Sequence, residues 1–274
     1  MNRGFLLFVQ QNEDTDYLTQ ASVCAKSIKQ FNPDEKICLV TDSTKDFSNH
    51  KEFDLIKSIP GEDLAKDSKW KIQNRSKIYD ISPFKETIVL DVDTLVLENI
   101  QHYWDFLKSY KVFYTTQVKT YRDELVTSNF YRQTFEANNL PNVYCGFHYF
   151  KRCPFSQKFY DTVKDVVKNY EFYKKRYTYN YPQHWCSMDV STAIAIRVLD
   201  CEHLVCAKQS PINFIHMKSK IQNWRNSNNN WLGQIDFQIN KDYELFVGNY
   251  LQKGIFHYVE DGFLNNNVKE IFNA

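Results

Sequence analysis

The sequence predicts an α/β fold in which helices flank a mainly parallel central sheet. Short apolar, β-branched runs recur through the first hundred residues, at 5–9, 37–40 and 87–90, and each is too short and too uniformly apolar for an amphipathic helix. Between them lie segments with apolar residues at steps of three and four, so strand and helix alternate as a parallel sheet requires. A further observation is where the acids fall. Asp42 and the pair Asp91 and Asp93 follow directly on the apolar runs, and in open sheets of this kind ligands bind beyond the carboxyl ends of the strands.

Residues 5–9 form the first strand. Over 15–31, Leu18, Ala21, Ser22, Ala25, Ile28 and Lys29 keep helical spacing until Asn32-Pro33 stops it. Residues 37–40 are a second strand ending at Thr41-Asp42, and 53–59 a third, closed by Pro60-Gly61. A helix is expected over 69–81, ending before Ser82-Pro83. The fourth strand, 87–90, leads into Asp91-Val92-Asp93 and a further apolar run at 95–97. On an extended backbone residues i and i+2 point to one side, so Asp91 and Asp93 emerge together. Two such carboxylates repel each other unless a cation joins them. Hard divalent cations such as Mg²⁺ and Mn²⁺ prefer oxygen ligands and are often shared with phosphates. The stretch TIVLDVDTLVLEN therefore reads as a metal–diphosphate site at a strand end. Two acids in a surface turn are the bland alternative, and the apolar runs on both sides weigh against it.

Composition narrows the function classes. The 274 residues, 43% hydrophobic and 16% aromatic, suffice for one large domain. With 34 basic and 33 acidic residues the formal charge is +1, so no global field points to nucleic acid or a membrane surface. Seven cysteines without a CxxC pair suggest neither a disulfide framework nor a zinc site, and point to a reducing, cytoplasmic setting. The apolar run at 5–9 is too short for a signal peptide, and no segment approaches a membrane span. Walker, GxSxG and HExxH motifs are missing, as are the glycines of a dinucleotide fold, which counts against NAD.

The later chain is less regular. A short helix is expected at 101–108 and a strand at 112–116, while 120–139 is polar and aromatic, more insertion than core. Residues 144–150, YCGFHYF, are apolar around Gly146, whose missing Cβ permits close backbone approach to a ligand. Helical spacing over 154–173 puts Phe155, Phe159, Val163, Val166 and Val167 on one core-facing stripe. The stretch 170–181, YEFYKKRYTYNY, interleaves rings with Lys174, Lys175 and Arg176, which suits nucleobases or sugar rings; an exposed helix end is the alternative. His184 and Trp185 precede Asp189, at the start of an apolar helix over 190–198, where plain N-terminal capping competes with a site role. His216, in FIHMKSKIQNW, and His257, in GIFHY, lie in apolar runs, where a lone histidine is more often a satisfied core residue. Residues 227–230 and 265–267 are loops, the second before a short C-terminal helix.

Three segments resemble the GT-A-fold, nucleotide-sugar-dependent glycosyltransferases, family 8 and its phage-encoded relatives in particular. They are DYLTQASVCAKSIKQFNPD at 16–34, RSKIYD at 75–80 and IVLDVDTLVL at 88–97. The match is good over about the first hundred residues and loose beyond. The resemblance implies a single GT-A-like domain over 1–274 with a Rossmann-like sheet, split into a nucleotide-sugar-binding half, 1–100, and an acceptor-side, metal-completing half, 101–274. It implies a UDP-sugar donor and Mn²⁺ or Mg²⁺ bridging Asp91 and Asp93 to the diphosphate. Donor contacts would come from Phe8, Val9, Gln10, Asp42, Lys71 and Arg75, from Val92 between the acids, and from His216, Lys218 and Lys220. Lys71, four residues before Arg75, would share its helical face. The catalytic residues would be Arg75 and Asp189. A late histidine would complete the metal shell: His257, ending an apolar strand, is favoured, and His216, with the family's spacing to Trp224, is the alternative. Tyr144 stands where the family carries Asn, and Val190 where it carries Gln.

The expected function is thus metal-dependent transfer of a sugar from a UDP-sugar to an acceptor hydroxyl, on a saccharide or another molecule. One alternative acceptor is DNA with hydroxymethylated bases, in the host cytoplasm of a phage. An alternative of another class is a nucleotide-sugar-binding or nucleic-acid-binding protein without turnover.

Overall fold

A computed structural model describes residues 1–126, 132–179, 181, 185–222 and 230–273. His184, Asn223 and Trp224 lie outside the described residues, as do 127–131 of the polar stretch and 227–229 of the predicted loop. Strand β1 (Arg3–Val9) leads through helix α1 (Tyr17–Phe31) to β2 (Ile37–Thr41), β3 (Leu55–Ser58) and, after a 3₁₀ turn (Gln73–Lys77) and the short α2 (Ile78–Ile81), to β4 (Glu86–Leu90). Asp16 caps α1 by accepting from the Thr19 amide at 3.1 Å, and Asn32 ends it before Pro33. Next come β5 (Thr94–Val96), α3 (Gln101–Leu107), β6 (Val112–Thr115), α4 (Gln133–Ala137) and β7 (Tyr144–Lys151). They are followed by α5 (Pro154–Lys168), α6 (Tyr170–Tyr177), α7 (Met188–Leu199), α8 (Glu202–Val205) and β8 (Phe214–His216). The chain then forms β9 (Phe237–Ile239), β10 (Leu245–Val247), β11 (Tyr250–Leu251), β12 (Ile255–His257) and α9 (Asn266–Ile271).

Among the described residues the main sheet has six strands in the order β3-β2-β1-β4-β7-β6. Strands β1 to β4 pair in parallel, and β7 runs against both its neighbours. Side chains alternate between two cores, as the strand period demands. Leu6, Phe8, Val40 and Val89 pack with α5 and α7 on one face; Phe5, Leu7, Leu39 and Leu90 pack with α1 and α3 on the other. Burial on both faces is why these strands read as continuous apolar runs. A second sheet, β5-β12-β8, joins the run after the acids to the two late histidine strands.

Several predicted elements differ. The helix expected over 69–81 begins only at Gln73, and as a 3₁₀ turn. Lys71 has φ +52°, a left-handed conformation no helix tolerates, and its ammonium is tied back to the Ala65 and Lys66 carbonyls at 3.0 and 2.8 Å. Lys71 and Arg75 therefore do not share a helical face. The helix over 154–173 breaks at Asn169 into α5 and α6. Part of 120–139 is core rather than insertion: Arg132 and Phe135 are buried.

Candidate active site

The Asp91–Asp93 stretch crosses from one sheet to the other. The Asp91 amide donates to the Gly146 carbonyl at 3.0 Å, carrying the β4–β7 pairing one residue further. Two residues on, the Asp93 carbonyl accepts from the Tyr258 amide at 3.1 Å, and Thr94 enters β5 opposite His257. The Thr94 hydroxyl donates to the Asp91 carbonyl at 2.7 Å and fixes the bend between. Both carboxylates are thereby aimed from backbone held in sheets.

His257 Nε2 lies 2.9 Å from Asp93 Oδ2. One ligand atom each from Asp91, Asp93 and His257 falls within 4.8 Å of the others. Two carboxylate oxygens and one imidazole suit Mn²⁺ or Mg²⁺ by donor chemistry. His257 Nδ1 is buried without a hydrogen-bond partner, so the ring is oriented by packing and by its acidic neighbour. Burial works against ionisation of Asp93, but His257 and then Arg75 hold its carboxyl below the usual range. Burial likewise disfavours charge on His257, yet Asp93 and Asp91 raise it above an ordinary imidazole. Positive charge is thus favoured beside the two acids.

Gly146 is what lets these groups meet. A Cβ there would stand 2.9 Å from the Phe214 ring, 3.2 Å from Asp91 Oδ2 and 3.5 Å from His257 Nδ1. The close approach read from this glycine is thus to the acid–histidine cluster itself.

His216 pairs in register with His257 on the neighbouring strand, and the two rings stack with centroids 4.5 Å apart. It backs His257 and is not among the grouped ligand atoms. Burial, followed by the charges of His257, Lys218 and Arg132, pushes its imidazole well below the ordinary value. The Lys218 amide donates to His216 Nδ1 at 3.4 Å; Lys220 is exposed in the turn that follows.

Beside the acids lies a pocket of about 200 Å³. Phe8, Gln10, Lys71, Arg75 and Val92 line it together with Asp91 and Asp93. Arg75 pairs with Asp91; burial opposes its charge, but Asp91 raises the guanidinium above its ordinary value. Two other expected contacts stand apart. Val9 is 1% exposed in the core, and Asp42, on the surface, accepts from the Gln11 amide at 3.0 Å.

Asp189 sits in the first turn of α7, but the cap there is Ser187, whose hydroxyl accepts from the Val190 amide. The Asp189 carboxylate instead accepts from the Cys145 amide at 2.9 Å and from Arg132 at 2.6 Å. Sequence reasoning missed Arg132. Its guanidinium also donates to Asn142 Oδ1 at 2.8 Å and to the Val143 carbonyl, and lies over Tyr144 with 3.8 Å to the ring centre. Tyr17 and Trp70, which line the pocket, were missed as well, as was a polar chain in which Asn74 donates to Gln10 at 2.9 Å and Gln10 to Asp63 at 3.1 Å. Isolated aromatic and amide residues give no sequence signal of this kind.

No family model and no curated protein matches the sequence. Solved structures do. The galactosyltransferase LgtC, in complex with donor and acceptor sugar analogues, is similar over 98% of this chain and 95% of its own, with TM-score 0.54 and 14% identity. The apo form of the glycosyltransferase GlyE from Streptococcus pneumoniae TIGR4 is similar over 100% of this chain at TM-score 0.51 and 12% identity, and this chain spans 62% of it. Mouse xyloside xylosyltransferase 1 is similar over 94% of this chain and 97% of its own, with TM-score 0.50 and 12% identity. What is shared is the fold, the GT-A architecture of these glycosyltransferases. Among the described residues no helix is long and apolar enough to cross a membrane.

Proposed function

We propose that the protein is a metal-dependent glycosyltransferase, working as one unit over the whole chain, that moves a sugar from a UDP-sugar to an acceptor hydroxyl. The observation that carries this reading is the grouping of Asp91, Asp93 and His257 within 4.8 Å beside a pocket that also holds Arg75. Mn²⁺ or Mg²⁺ held by these three would neutralise a diphosphate and stabilise the charge that grows on it as the glycosidic bond breaks. Arg75 adds a fixed positive charge at the same place, and such a charge lowers the barrier when it meets the transition state better than the ground state. Gln10, held by Asn74 and Asp63, and Phe8 line the same pocket and would meet the nucleoside. With one oxygen on Arg132 and the other on the Cys145 amide, Asp189 is suited to accept from a donor-sugar hydroxyl.

The test is calorimetric titration with UDP, in Mn²⁺ and in chelator, followed by UDP release from UDP-glucose and UDP-galactose. Binding that depends on the metal, with release, is the expected result. Equal binding in chelator would overturn the metal assignment, and metal-dependent binding without release from any UDP-sugar would favour a binding protein without turnover.

A further inference from the structure

Trp70 is shared between the donor pocket and a larger cleft of about 730 Å³. The described tryptophans divide sharply. Trp104 and Trp231 are wholly buried, whereas Trp70 and Trp185 are 45% and 48% exposed, and both exposed rings line this one cleft. An indole left half in water forgoes much of the burial that normally draws it inward, and two such rings lining one recess form a surface for flat, weakly polar ligand faces. The Trp70 ring is steadied from one side: the Lys69 ammonium lies 5.2 Å from its centre and is anchored to Asp14 at 3.0 Å.

The charges around the rings select the ligand class. Three lysines and four carboxylates line the cleft, so a polyanion would meet more repulsion than attraction. A neutral ring bearing hydroxyls finds both hydrogen-bond donors and acceptors there and an aromatic face for its C–H side. The basic end of α6, Lys175 and Arg176, is not among the described residues that line the cleft.

We infer that this cleft binds the acceptor and that the acceptor is a neutral saccharide stacked on Trp185 and Trp70. The inference rests on the donor-site reading for its catalytic meaning, since Trp70, common to both spaces, is what brings the acceptor beside the transferred sugar.

The experiment is saturation-transfer NMR on the full chain, with and without UDP and Mn²⁺. The probes are lactose, maltotriose and N,N′-diacetylchitobiose, and in parallel an oligodeoxynucleotide containing hydroxymethylcytosine. At least one saccharide should bind, with little salt dependence. Trp185→Ala should raise its Kd about tenfold, and Trp185→Phe, which keeps a ring, should recover most of the loss. Melting curves of both variants separate lost stacking from lost fold, and the phenylalanine variant alone decides if the alanine variant unfolds. No saccharide binding, saccharide binding unchanged by Trp185→Ala, or tighter and steeply salt-dependent binding of the oligonucleotide would each overturn the inference. Saccharide binding without metal-dependent UDP binding would sink the donor-site reading and leave the cleft standing; UDP binding without saccharide does the reverse.

Discussion

The two ends of the site are built by different means. At the acid–histidine end each of the three grouped side chains is seated on backbone that a sheet holds in place: Asp91 against Gly146, Asp93 against Tyr258, and His257 in register with Thr94. At the cleft end, Trp70 and Trp185 lie outside helix and strand and stay half exposed. The difference teaches where each property resides. On the proposed reading, charge geometry is carried by residues that sheet backbone hydrogen-bonds in place, while what distinguishes one substrate from another would be carried by segments free to vary.

That contrast can be broken at its strongest point. Asp93→Ala removes a ligand and leaves His257 without its acid, so metal-dependent UDP affinity should fall by about two orders of magnitude or more, read by titration in Mn²⁺. An affinity within a factor of two of wild type would mean that the frame, however rigid, holds no cation. Next in size, Arg132→Met strips the guanidinium from a carboxylate beside the buried β7 strand. Breaking such a pair costs about 3 kcal/mol, measurable as a lower urea midpoint with an unchanged m-value. Gly146→Ala drives a methyl group to 2.9 Å from Phe214 and 3.2 Å from Asp91; the shift it forces should cost about 2 kcal/mol and weaken Mn²⁺ binding together. If only stability falls, the ligands tolerate more movement than their seating suggests.

The smallest effect sharpens the same comparison from beneath. His148 lies under the site on β7, stacked on Tyr114, and burial holds its imidazole down at about 4. The unfolded chain, titrating near 6.5, takes up the proton first. Stability contributed by keeping this ring neutral is therefore complete above pH 6.5 and is lost as pH falls toward 4, about 1 kcal/mol by pH 5.5. His148→Phe keeps the stack and should flatten that slope in urea melts between pH 7 and 5.5. An unaltered slope would assign acid sensitivity elsewhere.

What could be read from the sequence follows the range of each interaction. The parallel strands were legible because two-faced burial writes itself into four or five consecutive residues. Asp91 and Asp93 stood out because i and i+2 share a side on any strand. His257 is the histidine the sequence favours beside them, but only over His216 as an open alternative, since both end apolar strands. The distinction lies in β12 pairing with β5, which brings together residues 164 apart. Arg132 looked like part of a polar insertion because nothing local records a carboxylate 57 residues away. The helix expected over 69–81 failed for a subtler reason: lysine carries no mark of a left-handed backbone, and only its tether to the 65–66 carbonyls explains the turn.

The β5–β12 pairing has a consequence in time as well as in space. Strands β1 to β5 are complete by Val96, so the chain can begin closing its first sheet early in synthesis. His257 emerges from the ribosome some 160 residues later, at a rate on the order of ten residues per second. During that interval the acids are present without their imidazole, and a nascent or truncated chain cannot assemble the Asp91–Asp93–His257 group. On the proposed reading, competence for the donor would be gated by completion of the polypeptide, and a cation held by Asp91, Asp93 and His257 would tie the late segment to the early one.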